Sequence, residues 1–281
     1  MGDLFSKLIV KEKNGIVRAI VPEGFRPAVC PAPRFIMNRY NTDEYQFPAM
    51  TLNENPESWK FDMHVHSWYS GDSATNPTKI VRLFETQGVL SLVADHNSTT
   101  GSLVVYGDIR SSHPDVPLIL SEEVMTESGE IIGLFLTDEV HPYLSAAETV
   151  DLIHDQGGLA LVPHPFCSYR VSSAMNPGIL DEIVGDVDII EGYNARTIRD
   201  EDNSRAREYA RAHNKPVSVG SDAHTLRELG RCFLEIGPFT SPGELVAGLR
   251  SGRAEFCRMD SSVHALTRLV KAVRHEQLRE E

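Results

Sequence analysis

Phe61-Asp-Met-His-Val-His-Ser-Trp-Tyr-Ser-Gly-Asp72 is the stretch whose reading decides the architecture. Phe61–Val65 reads as a short strand. His64 and His66, two residues apart at its end, leave the same face of an extended backbone, so that face can offer two imidazoles to one ion. The organisation recurs downstream. Apolar runs at Val89–Val93, Pro117–Leu120, Leu159–Val162, Val187–Ile190, Val217–Val219 and Phe233–Ile236 alternate with helical stretches. That pattern predicts βα units on a largely parallel sheet, with about seven repeats favouring a barrel over an open sheet.

The helices between these runs have recognisable ends. Asn76-Pro77 supplies a cap and a first-turn proline for a helix through Thr86. Ser145-Ala-Ala-Glu148 is a capping box, and Gly157-Gly158 ends the helix that it starts. Ser241-Pro242-Gly-Glu244 repeats the box, and Asp202–His213 is a further helix with Ala206, Tyr209 and Ala210 on one face. Residues 1–60 differ in character: a strand at Ile16–Val21 is followed by Pro22, Pro27, Pro31 and Pro33, which predicts a hairpin and an ordered loop packed on the main domain. Residues 61–260 form the main domain, and 261–281 read as an amphipathic surface helix.

Titratable residues gather at the predicted strand ends. His64 and His66 end the first strand, with Asp72 in the loop behind them. Asp95-His96 ends the second, Glu122-Glu123 follows the third, and His164-Pro165 the fourth. Glu191 with Asn194 follows the fifth, and Asp222 with His224 the sixth. In a parallel βα barrel those ends converge on one face, where active sites are built. The chemistry suits divalent metals: Asp222-x-His224 repeats the two-residue spacing with one hard and one borderline ligand, and a carboxylate such as Glu123 can bridge two ions ~3.5–4 Å apart. Zn, Mn and Fe all accept such a mixed nitrogen and oxygen set.

Composition bounds the partners. The 281 residues are 41% hydrophobic and 24% charged, which fits a globular chain with one large domain. The formal net charge of −13 argues against an extended nucleic-acid surface. It is compatible with a small phosphorylated substrate, because bound cations reverse the sign of a pocket locally. No apolar run approaches the ~20 residues needed to span a bilayer, and Met1-Gly-Asp-Leu-Phe-Ser has no basic, apolar leader. Cys30, Cys167, Cys232 and Cys257 lie far apart with no C-x-x-C, so a zinc ribbon and a disulfide-stapled mini-domain are excluded. The expectation is a cytoplasmic protein without membrane contact, with a homo-oligomer left open.

The motifs Phe61–Asp72, Ala94-Asp-His96, Ser121-Glu-Glu-Val124, His164-Pro-Phe and Gly220-Ser-Asp-Ala-His224 resemble, in order, those of the PHP (polymerase and histidinol phosphatase) superfamily. The stretches Gly129–Leu136 and Glu191-Gly-Tyr-Asn-Ala-Arg196 resemble a bacterial and archaeal subgroup of small stand-alone members. The resemblance implies a distorted (β/α)7 TIM-like barrel bearing two or three metals and hydrolysing phosphoesters. It implies that His64, His66, Glu123 and Asp222 hold the first metal, that Glu123 bridges to a second joined by His164, and that Asp72, His96 and His224 hold the third. Asp62 and Asp95 would orient the histidines.

Ser121 and Ala94 depart from the family's Gly and Thr, and Glu130 stands where many members carry a further histidine ligand. A hairpin turning at Thr126-Glu127 would set Glu130 opposite Glu123, whereas a turn at Ser128-Gly129 would leave the two staggered on one face. Arg170 and Arg196 lie in loops from which they either hold phosphate oxygens bidentately or pair with carboxylates. Asp95, His224, Arg170 and Arg196 are the candidates for catalytic roles beside the metals. The implied reaction is attack of a metal-bound hydroxide on a small-molecule or nucleotide phosphomonoester or phosphodiester. A nuclease trimming a 5′ end or a short oligonucleotide is the alternative on the same fold, and a non-catalytic metal-binding domain ranks last.

Overall fold

The computed structural model describes residues 9–13, 16–20, 58–170, 172–256, 267 and 270. Its strands are β1 (Ile9–Lys13), β2 (Ile16–Ile20), β3 (Trp59–Val65), β4 (Val89–Val93), β5 (Ser121–Thr126), β6 (Gly129–Leu134), β7 (Leu159–Val162), β8 (Ile189–Asn194), β9 (Val217–Gly220), β10 (Cys232–Ile236) and β11 (Arg253–Phe256). Its helices are α1 (Pro77–Gln87), α2 (Thr100–Ser112), α3 (Ala146–Asp155), α4 (Pro177–Ile183), α5 (Asp200–Ala212) and α6 (Pro242–Leu249). The result is a mixed α/β fold. One sheet runs β11-β10-β3-β4 and the other β5-β6-β7-β8-β9, while β1 and β2 form a separate antiparallel hairpin. The rest of the segment before Ser58, the expected helix over 261–281 apart from Thr267 and Val270, and Cys30 and Cys257 lie outside the described residues.

The strands of the larger sheet are buried on both faces, and their alternating residues enter two different layers. Ile132, Leu161, Ile189 and Val219 join Phe61, Met63, Leu90, Leu92 and Leu234 of the other sheet in one apolar core. Their neighbours Ile131, Val162 and Ile190 turn the other way, against Val150 and Ile153 of α3, Leu180 and Ile183 of α4, and Ala206 and Ala210 of α5. Helices therefore cover one side of this sheet while the other faces a core shared by both sheets.

The expected helix starts are present. Asn76 Oδ1 accepts from the Thr78 N–H at 2.9 Å, and Gly88 ends α1 in the left-handed conformation at φ 67°. Ser145 and Glu148 form the reciprocal box on α3. At α6 half of the box forms: Ser241 Oγ accepts from Glu244 N, whereas the Glu244 carboxylate accepts from both N–H and O–H of Thr240, a better pair of donors.

Three expectations are corrected. The sheets are not largely parallel: β3–β4, β7–β8 and β8–β9 are parallel, but β5–β6, β6–β7, β3–β10 and β10–β11 are antiparallel. Only Glu127 and Ser128 separate β5 from β6, and so short a link permits nothing but a hairpin. The strand expected at Pro117–Leu120 begins instead at Ser121, and the one expected at Val187–Ile190 runs on to Asn194. Both shifts have one cause. The buried residues of these strands include Glu122, Glu123, Glu191 and Asn194, so hydrophobicity places the strands too early.

Candidate metal centre

Backbone pairing continues past the strand ends and brings the ligand-type residues together. His66 N donates to Ala223 O at 2.9 Å and Asp222 N to His64 O at 2.7 Å, joining the ends of β3 and β9 across the two sheets. Glu123 N donates to Asp95 O at 3.0 Å and Asn97 N to Glu123 O at 2.9 Å, joining the end of β4 to the middle of β5. His164 and Asp222 hold left-handed backbones, with φ of 31° and 54°. Such conformations are costly for residues with side chains and persist where the surroundings impose them, commonly at functional sites.

The Nε2 atoms of His64 and His66 lie 3.0 Å apart. Glu123 Oε1 is 3.4 Å from the first and Glu123 Oε2 is 3.3 Å from the second, while Asp222 Oδ1 is 3.8 and 3.5 Å from them. Glu123 also reaches His164 Nε2 at 3.2 Å and His96 Nδ1 at 3.1 Å. On the far side, Asp72 sits between His96 Nε2 at 3.4 Å and His224 Nε2 at 3.5 Å. His64, His66, Asp72, His96, Glu123, His164, Asp222 and His224 therefore meet in one cluster, buried except for His96, which is 29% exposed.

Glu130 joins them through a register that neither expected turn produced. Thr126 pairs with Gly129, so Met125 opposes Glu130 and Glu123 opposes Ile132. The Thr126 hydroxyl fixes this turn by donating to Gly129 O at 2.6 Å. Glu130 thus lies diagonal to Glu123 on one face, with Oε1 3.5 Å from His96 Nδ1 and Oε2 3.6 Å from His164 Nε2.

The groups that hold these imidazoles differ from those expected. Asp62 Oδ1 accepts from the backbone of Ser221 at 2.9 Å, and Asp95 accepts from Ser67 N and Oγ, each at 2.6 Å. Both brace the backbone. The expected orienting role falls to Glu191, whose Oε1 lies 3.1 Å from His64 Nδ1, and to Ser70, whose Oγ lies 3.2 Å from His66 Nδ1. Glu191 Oε2 further accepts from His164 N at 2.7 Å and from Asn194 Nδ2 at 3.0 Å, and the same amide donates to Asp222 Oδ2 at 3.1 Å. Glycine is required beside it, because a Cβ at Gly220 would collide with Glu191 Oε1 and with His64 Cβ.

The arginines are engaged as well. Arg170 pairs with Asp222 Oδ2. Arg196 is 4% exposed; its Nε faces Glu228 Oε1 at 3.3 Å, its Nη1 faces His224 Nδ1, and its Nη2 donates to Thr267 Oγ1 at 2.7 Å. Glu228 in turn accepts from His224 N at 3.1 Å. Arg196 is positioned to hold the His224 loop.

The electrostatics follow from burying so many charges together. Burial opposes ionisation of Glu123 and Asp222, but the cations His64 and His96, and Arg170 and His64, respectively, hold these carboxyls well below the usual range. Burial, with the neighbouring His224 and His96, pushes His66 down to about 3. Glu130, buried beside Glu123, is pushed up to about 8. Buried groups moved so far from their ordinary values at one place mark a candidate functional site.

The donor set fits divalent cations. Glu123 Oε2, Glu130 Oε2, Asp222 Oδ1 and His164 Nδ1 are buried with no hydrogen-bond partner, although buried polar atoms are normally satisfied. Among the described residues, four groupings of ligand atoms lie within 4.8 Å: His66, Asp72, His96 and His224; His64, His164 and Asp222; His64, His66 and Glu123; and His96, Glu123 and Glu130. Among the described residues no helix is long and apolar enough to cross a membrane.

Sequence reasoning flagged Glu191 by its position but gave it no role. It passed over Ser70 and Glu228, and no local pattern marks them.

A family model described as PHP-associated matches residues 200–254. The chain is 34% identical over 179 residues to Uncharacterized protein MJ0417 of Methanocaldococcus jannaschii, covering 63% of this chain and 70% of that one. It is 34% identical over 147 residues to Uncharacterized protein MJ1587 of the same organism, covering 48% and 82%. Among solved structures, a two-domain protein from Bacteroides vulgatus containing a PHP-like metal-dependent phosphoesterase superposes with a TM-score of 0.57 at 17% identity, over 75% of this chain and 69% of that one. That likeness is one of fold.

Proposed function

This chain belongs to the PHP superfamily, and on that premise we propose that it is a metal-dependent phosphoesterase acting on a small phosphorylated substrate. The observation that carries the reading is Glu123. Its Oε1 faces His64 and His164 and its Oε2 faces His66 and His96, all within 3.1–3.4 Å, as a carboxylate shared by two cations would. The two sheets joined at β3–β9 and β4–β5 support the distorted (β/α)7 barrel whose strand ends gather the ligands.

In this reading His64, His66, Glu123 and Asp222 hold a first cation, Glu123, His164 and Glu130 a second, and Asp72, His96 and His224 a third, with Zn, Mn or Fe suited to the set. Such ions supply an acidified water and neutralise the charge of a phosphoryl group. The protein supplies the rest. Glu191 and Ser70 fix the imidazole planes, so that Nε2 of His64 and of His66 face inward. Arg196 and Glu228 hold the backbone and ring of His224. Arg170, its side chain 18% exposed and paired with Asp222, would share its guanidinium between that carboxylate and the phosphate oxygens. The net charge of −13 favours a compact substrate over a long polyanion.

Elemental analysis of the purified protein, with rates on para-nitrophenyl phosphate, bis-para-nitrophenyl phosphate and an end-labelled oligonucleotide in added Mn²⁺, tests this. Two or three metals per chain and turnover of either chromogenic ester, lost in His66→Ala and Asp222→Ala, is the expected result. Trimming of the oligonucleotide alone would select the nuclease alternative. Hydrolysis that survives in both variants, or a folded chain that binds no metal, would overturn the proposal.

A further inference from the structure

We propose that Glu130 makes the second cation position selective for a harder ion, Mn²⁺, while the position formed by His64 and His66 takes Zn²⁺. This rests on the metal-dependent reading above and extends it to which ion sits where. The ligand groups differ in kind. The first position, His64, His66, Glu123 and Asp222, sets two imidazoles against two carboxylates. The second, Glu123, His164 and Glu130, sets one imidazole against two carboxylates, and His96 gives the same balance with the two glutamates. Imidazole suits Zn²⁺, whereas carboxylate oxygens suit Mn²⁺ and Mg²⁺, so the oxygen-rich position gives up part of the advantage that Zn²⁺ holds over Mn²⁺ elsewhere.

The placement of Glu130 shows that it is built into the site. It is 2% exposed, and its backbone N–H is held by Ser173 O at 3.0 Å. Its Oε2 and the Oε2 of Glu123 are both buried without a hydrogen-bond partner. Two carboxylate oxygens on one buried sheet face repel one another when both are ionised, and a cation held between them relieves that repulsion. His96 turns Nδ1 toward this pair while its Nε2 faces Asp72, so one imidazole separates the oxygen-rich position from the third. A histidine in place of Glu130 would restore an imidazole-rich position; the glutamate is what distinguishes it.

The test loads metal-free protein with one equivalent of Zn²⁺ and titrates Mn²⁺, reading bound Mn²⁺ by electron paramagnetic resonance and total metal by elemental analysis. Wild type is expected to hold Mn²⁺ alongside Zn²⁺. Glu130→His is expected to lower the Mn²⁺-to-Zn²⁺ preference at that position by roughly tenfold or more. Glu130→Gln keeps the shape, removes the charge, and is expected to weaken Mn²⁺ binding while leaving the Zn²⁺ equivalent in place; it decides the matter if Glu130→His does not fold. Normal metal loading with an unchanged preference in the folded variants would overturn this proposal alone. Failure of wild type to bind either ion would overturn the metal-dependent reading itself.

Discussion

The Glu191 carboxylate stands 3.1 Å from Nδ1 of His64, on the opposite edge of the imidazole from the Nε2 that faces Glu123 and Asp222. With the Nδ1 proton given to Glu191, the lone pair of Nε2 points into the cluster. This is the arrangement by which a carboxylate selects the tautomer of a ligating histidine and raises its basicity. Because Glu191 also holds His164 N and is shared through Asn194 with Asp222, one residue in the middle of β8 sets the geometry of ligands borne by β3, β7 and β9.

Glu191→Gln is therefore expected to weaken binding at the His64 position by roughly 10–100-fold. Far-ultraviolet circular dichroism should remain unchanged. Isothermal titration of metal-free protein with Zn²⁺ measures it, and wild-type affinity in a folded variant would refute the positioning role.

Arg196→Ala is expected to destabilise the protein by about 3–5 kcal/mol, because it leaves the carboxylate of Glu228 buried without its charge partner. The pair is enclosed, with side chains 3% and 0% exposed at 3.3 Å. Urea unfolding reads the loss. A Glu228→Gln/Arg196→Ala double variant should recover part of it, since the orphaned charge is gone, and a double variant no better than Arg196→Ala would argue against this cause.

Glu122 contributes to the pH dependence alongside Glu130, which burial raises in the same way. Burial pushes the Glu122 carboxyl from the ordinary 4.5 up to about 8; the Val140 N–H opposes the shift, and the charges of Glu139 and Asp138 add to it. Between those values the folded state keeps a proton that the unfolded chain has released, so stability is highest at the acidic end of the window and falls as pH rises toward 8. Glu122→Gln, whose amide oxygen can still accept from Val140, should flatten the fall in Tm between pH 6 and 9. An unchanged slope in differential scanning calorimetry would show that Glu122 is not one of its sources.

Legibility tracked the range of the interactions. Helix starts at Asn76 and Ser145 were readable because a cap is a contract among residues three apart. The start of α4 carries the same Asn-Pro pair, at Asn176-Pro177, and could have been read by the same rule. Hydropathy places strands β5 and β8 too early because their buried residues include the carboxylates Glu122, Glu123 and Glu191 and the amide Asn194, which no hydropathy pattern marks as interior. Glu130 could not be settled from its spacing. Its position depends on whether Thr126 pairs with Gly129, and a shift of one residue in that hairpin turns every side chain to the other face.

The order and chemistry of the ligand-type residues were determined by the chain alone. Side-chain identity and the two-residue periodicity of extended backbone are local properties, and they put His64 and His66 on one face, whereas the left-handed backbone of Asp222, which sets how it stands to His224, is imposed by the surrounding fold. Only the tertiary structure decided which of these residues share an ion-sized space, that Glu123 looks two ways, and that Glu191 rather than Asp62 steadies His64. Those relationships arise between strands distant in sequence. They are set by hairpin register and by how two sheets meet at their ends, where packing of the common apolar core fixes the alignment that no segment specifies by itself.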